Sequence, residues 1–497
     1  MNSEQKKNAL KLSSELTIEE IENVNLLVSK VKRFVDLLAI LPDAEREFRA
    51  DKDAFLKKYN IEDLNKEELS FCFLQEYEKE REKLKSLSRD EYLDKVPEYL
   101  FRYNQFIANK LAFRNYLCGD GLAPDNAKLK KWRKRMINRC NGDLGGGNRA
   151  FVHAPVCFEM AVGCSVGCEF CGLNAGQLRA VYRHTEENAK LFKEVLTACK
   201  EIIGKACAAG MLYFASEPLD NPDYEEFEND FYEIFKMIPQ ITTATANRHV
   251  DKLKRLIRNT EVKQGFLHRF TILSEEMANT IFEQFTPREL LKVELLPQFE
   301  EAPTFGGFVK SGKNTETAVK TSVTYDELIN AKGKIKYDTG SIVCIDGFCI
   351  NMVEKKITLF TPCKSSEKYP KGISELEPVY FENGVDFKKK LEYLIDTYIR
   401  TEIPKDEQLK LYDYFDILDT KEYGKILFSE HGGQILQLDK FPHDYFMPIL
   451  ELLQDGKKTY AEIIDDICTR YNTAPENVIY LLNQLWNMGY IVDSVFF

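Results

Sequence analysis

Three cysteines lie close together about one third of the way along the chain, in the pattern C-x3-C-x2-C. They are Cys164, Cys168 and Cys171. Thiolates are soft ligands that suit iron–sulfur clusters or zinc. Three thiolates at this spacing can hold a four-iron cubane and leave its fourth iron without a protein ligand. Because a small molecule can coordinate at an open metal position, the motif predicts one 4Fe-4S cluster with an open iron.

Zinc is the main alternative for the same cysteines. A structural zinc site needs a fourth Cys or His at matching spacing, and the nearby His184 has no partner pair. The motif also follows a strand-like run and precedes an alternation of strands and helices, which a small zinc module does not need. We therefore favour the cluster, and keep a non-catalytic zinc or peptide-binding protein as the alternative.

The elements around the motif alternate between short apolar runs and amphipathic helices. The clearest helix spans 186–203, and the runs lie at 156–162, 211–214, 241–246, 270–273 and 293–296. Such alternation predicts βα units with a parallel sheet. We expect an α/β fold in which 150–400 form a partial (β/α) barrel.

Two further domains are expected on either side of this barrel. Residues 1–149 have the apolar spacing of helices, and the basic run 128–139 is interpreted as a solvated helix face with Trp132 and Met136 inward. Residues 405–497 predict a small winged-helix-like module. Its expected strands are 426–428, 434–438 and 491–497, and its expected helices are 445–453, 459–471 and 475–488.

Composition excludes several classes of protein. The chain of 497 residues has a net charge of −11, and 440–497 has no concentrated basic helix, which disfavours nucleic acid as a partner. No apolar stretch is long enough for a membrane span, and 1–14 lack the apolar core of a secretory signal. The 13 cysteines are scattered and odd in number, so a disulfide scaffold is not expected. We predict a cytoplasmic protein without a membrane partner.

The motif and its context resemble the radical S-adenosylmethionine (radical SAM) enzymes. Phe170, directly before the last motif cysteine, matches the aromatic residue of that family. The segment YFASEP, with Ser216 and Glu217, resembles the family's SAM-binding GGEP motif with Ala-Ser in place of Gly-Gly. By the same resemblance, Asn247 and Ser274, at the ends of later strand-like runs, face SAM. The resemblance implies SAM as the second cofactor.

Within that superfamily the chain resembles the PoyD-like proteusin epimerases of ribosomal natural-product (RiPP) maturation. The resembling segments cover about 155–370 and include FASEPLDNPDY, PQITTATANR, HRFTILS, VELLPQ and SIVCIDGFCINMVEKKITLFTPC. The resemblance implies an isomerase that converts L- to D-residues in a precursor peptide with leader and core, using an external electron donor. A 5′-deoxyadenosyl radical takes the Cα hydrogen, and a thiol returns hydrogen from the opposite face.

Three cysteines outside the motif compete for the role of that thiol. Cys363 follows a strand-like run, and a late barrel strand ending there would place its thiol at the mouth of the active site. Cys344 and Cys349 lie in more apolar surroundings, which is typical of buried structural cysteines. Cys363 is therefore the first candidate. A second cluster is disfavoured, because only Cys468 follows Cys363.

The C-terminal module resembles the PqqD-like elements that hold a leader peptide as an added strand. The resembling segments are DGKKTYAEII and YLLNQLWNMGYI. The closest alternative function is another radical SAM modification of a peptide, such as crosslinking or backbone excision. Those reactions also begin with hydrogen abstraction, so the sequence separates them poorly.

Overall fold

A computed structural model describes residues 17–67, 69, 72, 88, 91, 97–118, 122–145, 148, 151–263, 265–305, 307–314, 341–420, 424–429, 435–437 and 444–497. The chain divides into two compact units. The first comprises Met1–Tyr116, Glu217–Leu219 and Gln240–Gly307, and the second comprises Leu117–Ser216, Asp220–Pro239 and Phe308–Phe497. This division differs from the three consecutive domains expected, because part of the predicted barrel belongs with the N-terminal helices.

Helices and strands are mixed along the chain, which confirms the predicted α/β class. The helices are α1 (Ile18–Ile40), α2 (Ala44–Ala50), α3 (Lys52–Lys58), α4 (Glu98–Cys118), α5 (Ala127–Asp143), α6 (Glu186–Ile202), α7 (Tyr224–Phe235), α8 (Val250–Val262), α9 (Glu275–Gln284), α10 (Gly384–Tyr398), α11 (Phe446–Asp455), α12 (Tyr460–Tyr471) and α13 (Pro475–Asn487). The strands are β1 (Ala154–Glu159), β2 (Ala161–Val162), β3 (Ala180–Val181), β4 (Thr242–Thr243), β5 (His268–Ile272), β6 (Val293–Pro297), β7 (Ile345–Asn351), β8 (Lys356–Pro362), β9 (Ile373–Glu375), β10 (Val379–Tyr380), β11 (Phe415–Thr420), β12 (Gly424–Ser429) and β13 (Ile435–Gln437). None of the helices in the described ranges is long and apolar enough to cross a membrane.

The first unit contains a parallel sheet in the order β4-β5-β6. Helix α8 connects β4 to β5, and α9 connects β5 to β6, so this part has the predicted βα alternation. Arg33 of α1 is buried, and its guanidinium donates to the carbonyl oxygens of Phe282 (2.9 Å) and Phe285 (2.5 Å) at the carboxyl end of α9. These carbonyls have no partner within their own helix, so a buried cation there stabilises the end of α9.

His268 of β5 makes the stability of this unit depend on pH. The ring is fully buried, and burial lowers its pKa from 6.5 to about 4. Between those values the unfolded chain binds a proton that the folded chain does not, so stability rises as the pH rises from about 4 to 6.5. Over that window the change amounts to about 3 kcal/mol.

The measurement is thermal unfolding followed by circular dichroism at pH 5 and pH 7.5. His268→Gln keeps an acceptor for the N–H of Ile241, which donates to the His268 ring, but removes the titration. The difference in melting temperature between the two pH values should be clearly smaller in this variant than in the wild type. An equal difference in both proteins would show that His268 does not titrate in this range.

The second unit contains a mixed sheet, with both parallel and antiparallel strand pairs. β1 pairs parallel with β7, whereas β8 runs antiparallel to β7. Side chains alternate between the faces of β1, and Phe158 points toward α6 and α7, where its ring lies 5.7 Å from that of Phe192. The opposite face carries Cys157. We call this opposite face the inner face; it is formed by Cys157, Val343, Ile345, Cys349, Phe360 and Ile373.

The predicted strand at 211–214 is wrong. Met211 makes a single parallel bridge to Cys157, and the chain then bends. At this bend the backbone N–H of Ala215 donates to the carboxylate of Glu159 (3.0 Å) instead of to a neighbouring strand. The run 241–246 is a strand only at Thr242–Thr243. Because the described strands form separate sheets, a continuous barrel remains a prediction.

The basic run at 128–139 lies in α5, and only its lysines form the solvated face that was expected. Trp132 and Met136 face inward as predicted. Arg135 is buried as well, pairs with Asp493, and lies 3.9 Å from the centre of the Trp486 ring. Two further arginines of the run are also buried, Arg133 and Arg139. Arg135 and Arg139 hold the C-terminal segment against α5, whereas Arg133 donates to the carbonyl oxygens of Val152 and His153.

The C-terminal module has the three predicted helices, α11 to α13, around a shared apolar core. Strands β12 and β13 correspond to the predicted pair, and β11 adds a third strand that the sequence analysis missed. The closing strand predicted at 491–497 is wrong. Ile491 makes one bridge to Leu411, and the N–H groups of Phe496 and Phe497 then turn back to the carbonyl oxygen of Asp493.

Candidate functional site

The motif cysteines lie in a loop, 163–179, that is closed at its base by two short strands. β2 pairs antiparallel with β3, and the N–H of Cys164 donates to the carbonyl oxygen of Gly176 (2.9 Å). Gly163 has a φ of +86°, and a Cβ atom there would lie 2.0 Å from the carbonyl oxygen of Gln177. Only glycine fits such a position. Backbone contacts therefore fix the shape of this loop, which we call the cluster loop.

Cys164, Cys168 and Cys171 form no disulfide, are only partly buried, and converge inside the cluster loop. Burial raises the pKa of the Cys168 thiol, and the negative charges of Cys164 and Cys171 raise it further, because the three sulfur atoms lie near one another. The N–H of Ala175 points at the sulfur of Cys171 (3.4 Å). A metal that bound the three as thiolates would remove the repulsion that opposes their ionisation.

The motif cysteines are not among the groups whose ligand atoms are drawn tightly together. Zinc holds sulfur ligands at about 2.3 Å, so the ligands of one ion lie close together. Within the described ranges, the group whose ligand atoms all lie within 4.8 Å of one another is Cys140, His153 and Asp346. A cubane spreads its ligands over several irons and does not need its cysteines so close.

A short segment, 308–314, covers the cluster loop. Phe308 stacks on Phe170 with 4.2 Å between ring centres and 13° between the ring planes. The N–H of Lys313 donates to the carbonyl oxygen of Cys171 (3.0 Å), and its ammonium donates to the carbonyl oxygen of Cys168 (3.3 Å). The segment thus adds one positive charge beside the thiols. The stacked Phe170 is held against protein here, which limits its freedom to contact a cofactor.

The expected SAM contacts are divided between the two units. Ser216 is half-buried in the second unit, directly after the bend at Ala215. Glu217 is buried in the first unit. Its carboxylate accepts from the Thr243 hydroxyl (2.6 Å) and from the N–H of Ala244 (2.9 Å). These bonds join Glu217 to the carboxyl end of β4.

The other two expected contacts lie at the carboxyl edge of the parallel sheet of the first unit. Asn247 is in the turn that follows β4. Ser274 follows β5, and its hydroxyl accepts from the N–H of Met277 (3.2 Å), so that it caps α9. This helix-capping role of the Ser274 hydroxyl does not depend on SAM. Their position at strand ends is as predicted, and contact with SAM remains a prediction.

The argument that put Cys363 at the mouth of the active site is wrong. It required β8 to run in the same direction as β1, but β8 is antiparallel to β7 and β7 is parallel to β1. The end of β8 therefore lies beside the start of β1, whereas the cluster loop follows the end of β1. Cys363 is 2% exposed, and burial raises its pKa well above the usual value.

A buried polar group lies at this same end of the sheet. His153 contacts Asp346 through Nδ1 and the Asn148 carbonyl oxygen through Nε2 (2.7 Å). Cys140, whose sulfur lies within 4.8 Å of these ligand atoms, is 3.1 Å from the guanidinium of Arg139. Both ring nitrogens are already occupied and a cation is adjacent. The polar atoms of this group already have partners within the protein, so few ligand atoms remain for a metal ion.

Besides Cys349, the inner face carries polar and thiol side chains that were not predicted as site residues. Cys157 lies opposite Cys349 in the pairing of β1 with β7. On the same side of β1, the carboxylate of Glu159 accepts from the amide of Asn351 (2.8 Å), and burial raises the pKa of Glu159. The alternation of Val156 and Phe158 with Cys157 and Glu159 along the sequence was the available signal.

Comparisons with known proteins add little to this geometry. No family model matches the chain. A protein of Sinorhizobium fredii called uncharacterized protein y4wI is 31% identical over 301 residues, which are 60% of this chain and 57% of that protein. The chain thus matches a little over half the length of this relative. The structure of BtrN in complex with AdoMet and 2-DOIA covers 41% of this chain and 72% of BtrN, at 14% identity and a TM-score of 0.26. A likeness that low supports no conclusion about fold or ligand.

Proposed function

We propose that the protein is a radical SAM epimerase that converts L-residues to D-residues in a ribosomally made precursor peptide. The observation that carries the proposal is the convergence of Cys164, Cys168 and Cys171, spaced C-x3-C-x2-C, in one closed loop. These cysteines would hold a 4Fe-4S cluster. With SAM on its open iron, the cluster would supply a radical able to take hydrogen from Cα.

The chain itself has to position the peptide and keep water from the reacting carbon. Leu173, which lies within the cluster loop, packs on the inner face. Phe214 of the YFASEP segment packs there as well. The rings of Phe214 and Phe360 lie 5.2 Å apart. Leu173 and Phe214 are only partly buried, so they offer an apolar surface beside both cofactor-binding segments. Such a surface is suited to a peptide radical, because it excludes water and leaves few groups that could react with the radical.

The proposal assigns leader recognition to the C-terminal module. In the described part of the chain its sheet has the order β11-β12-β13, so that β11 and β13 are the outer strands. An extended leader peptide could add to one of them through main-chain hydrogen bonds. Deleting the module is a poor test, because it would expose the Arg135 side chain that packs on Trp486. Hydrogen exchange of β11 and β13 with and without the leader peptide tests the assignment on the intact chain.

The activity is tested by co-expression with a candidate precursor peptide in deuterated water. A thiol exchanges its hydrogen with solvent, so each inverted Cα should carry one deuterium, and acid hydrolysis should release the matching D-amino acid. A precursor co-expressed with the Cys164→Ala variant is the matched control and should stay unlabelled. A product that lacks Cα deuterium but is crosslinked or shortened would replace the epimerase by another radical modification.

A further inference from the structure

Two cysteines face each other on the inner face, on neighbouring strands. Cys157 of β1 and Cys349 of β7 are direct partners in a parallel pairing, so that their side chains point to the same side of the sheet. Both contribute to the apolar cluster against which Leu173 and Phe214 pack. The pair is thus joined by packing to the cluster loop and to the YFASEP segment, unlike Cys363.

The two thiols differ in access. Cys349 is 8% exposed, whereas Cys157 is completely covered. The hydrogen bond between the two side chains, followed by burial, raises the pKa of Cys349 well above the usual value. A thiol that keeps its proton is able to give a hydrogen atom, which a thiolate is not. Cys349 therefore combines a retained S–H bond with the larger exposed fraction of the two residues.

We infer that Cys349 is the thiol that returns hydrogen to the peptide and that Cys157 is its resolving partner, so that the two form a dithiol/disulfide couple. This inference rests on the proposed epimerase activity. The S–H bond of Cys349 breaks, a C–H bond forms at the peptide Cα, and a thiyl radical is left on Cys349. That radical forms an S–S bond with Cys157. The Cys157 proton would go to solvent, and one electron would go to an external one-electron acceptor, an oxidised iron–sulfur protein.

The geometry permits this bond. Neighbouring strands lie about 4.8 Å apart, which is inside the Cα separation of about 4.4–6.8 Å that a disulfide tolerates. Both cysteines are reduced in the structure. An external thiol reductant has to return the pair to that state after each inversion, so the inference also predicts a requirement for such a reductant during repeated turnover.

The first test needs no substrate. The full chain, without its cluster, is treated with diamide under native conditions, digested, and analysed by mass spectrometry. The expected result is a disulfide-linked peptide pair containing Cys157 and Cys349, absent from Cys157→Ala and from Cys349→Ala and present in Cys363→Ala. If both thiols are alkylated when the diamide-treated protein is subsequently denatured, the redox couple is overturned.

The second test uses the deuterium experiment on a precursor that the wild type inverts. Cys349→Ala should lose D-residue formation, so that the ratio of 5′-deoxyadenosine to D-residue rises sharply, while iron content and melting temperature stay near those of the wild type. Cys157→Ala should give about one inversion per enzyme molecule and then stop. Cys363→Ala should continue to invert. Normal inversion by Cys349→Ala would show that Cys349 is not the hydrogen donor, without contradicting the proposed epimerase activity. If the wild type forms no D-residue, the proposed epimerase activity is wrong, and the inference that rests on it is wrong as well.

Discussion

Replacing Cys164, Cys168 and Cys171 together with Ala should give a folded, colourless protein that binds no iron and cleaves no SAM. The three thiols are the soft ligands that converge in the cluster loop, and without them an iron–sulfur cluster has no anchor. Iron and sulfide analysis, visible absorption after anaerobic reconstitution, and 5′-deoxyadenosine formation measure the effect.

A matched control for this variant is Cys468→Ala. Cys468 is partly buried in α12 of the C-terminal module, and it is a free thiol like the motif cysteines. The control should keep its iron and its colour. If the triple variant also retained iron and SAM cleavage, the cluster would have to lie elsewhere, and the interpretation of the motif would be wrong.

Replacing Arg139 with Ala should lower the free energy of unfolding of the second unit by about 3–5 kcal/mol, as expected when one partner of a buried ion pair is removed. Arg139 is completely buried and pairs with Asp143 (2.7 Å). Its guanidinium also donates to the Thr361 hydroxyl (3.1 Å) and lies 4.7 Å from the centre of the Phe497 ring. The variant leaves the carboxylate of Asp143 without its cation and leaves a cavity beneath the C-terminal segment.

Urea unfolding followed by tryptophan fluorescence measures this effect. Trp132 and Trp486 are the tryptophans of the chain, and both belong to the second unit. Lys134→Ala, on an exposed position of the same helix, should leave the unfolding midpoint within the small range typical of surface changes. A midpoint for Arg139→Ala equal to that of Lys134→Ala would mean that the buried network contributes no net stability.

The parts of the fold that sequence reasoning predicted well are local. The helix expected at 186–203 is α6, and the runs at 270–273 and 293–296 coincide with β5 and β6. The apolar spacing and the ends of these elements are determined by residues that are close together in the sequence. The cluster motif is local in the same sense, because a single short loop carries all three ligands.

The parts that sequence reasoning missed depend on partners far away in the chain. The direction of β8 is set by its pairing with β7, and nothing within the apolar run itself distinguishes the two directions. Because the wrong direction was expected for β8, Cys363 was predicted at the wrong end of the sheet. The buried state of Arg135 depends in the same way on Asp493, which is 358 residues distant. A basic run without such partners would have been solvated.

The closure of the cluster loop by β2 and β3 bears on how the protein is assembled in the cell. A zinc finger has no fixed binding loop until its metal arrives, so that metal uptake and folding are one event. Here backbone bonds such as that between Cys164 and Gly176 contribute to the shape of the loop and do not involve the cysteine sulfur atoms. We therefore expect the chain to fold before it takes up a cluster, so that cluster loading is a separate, later step.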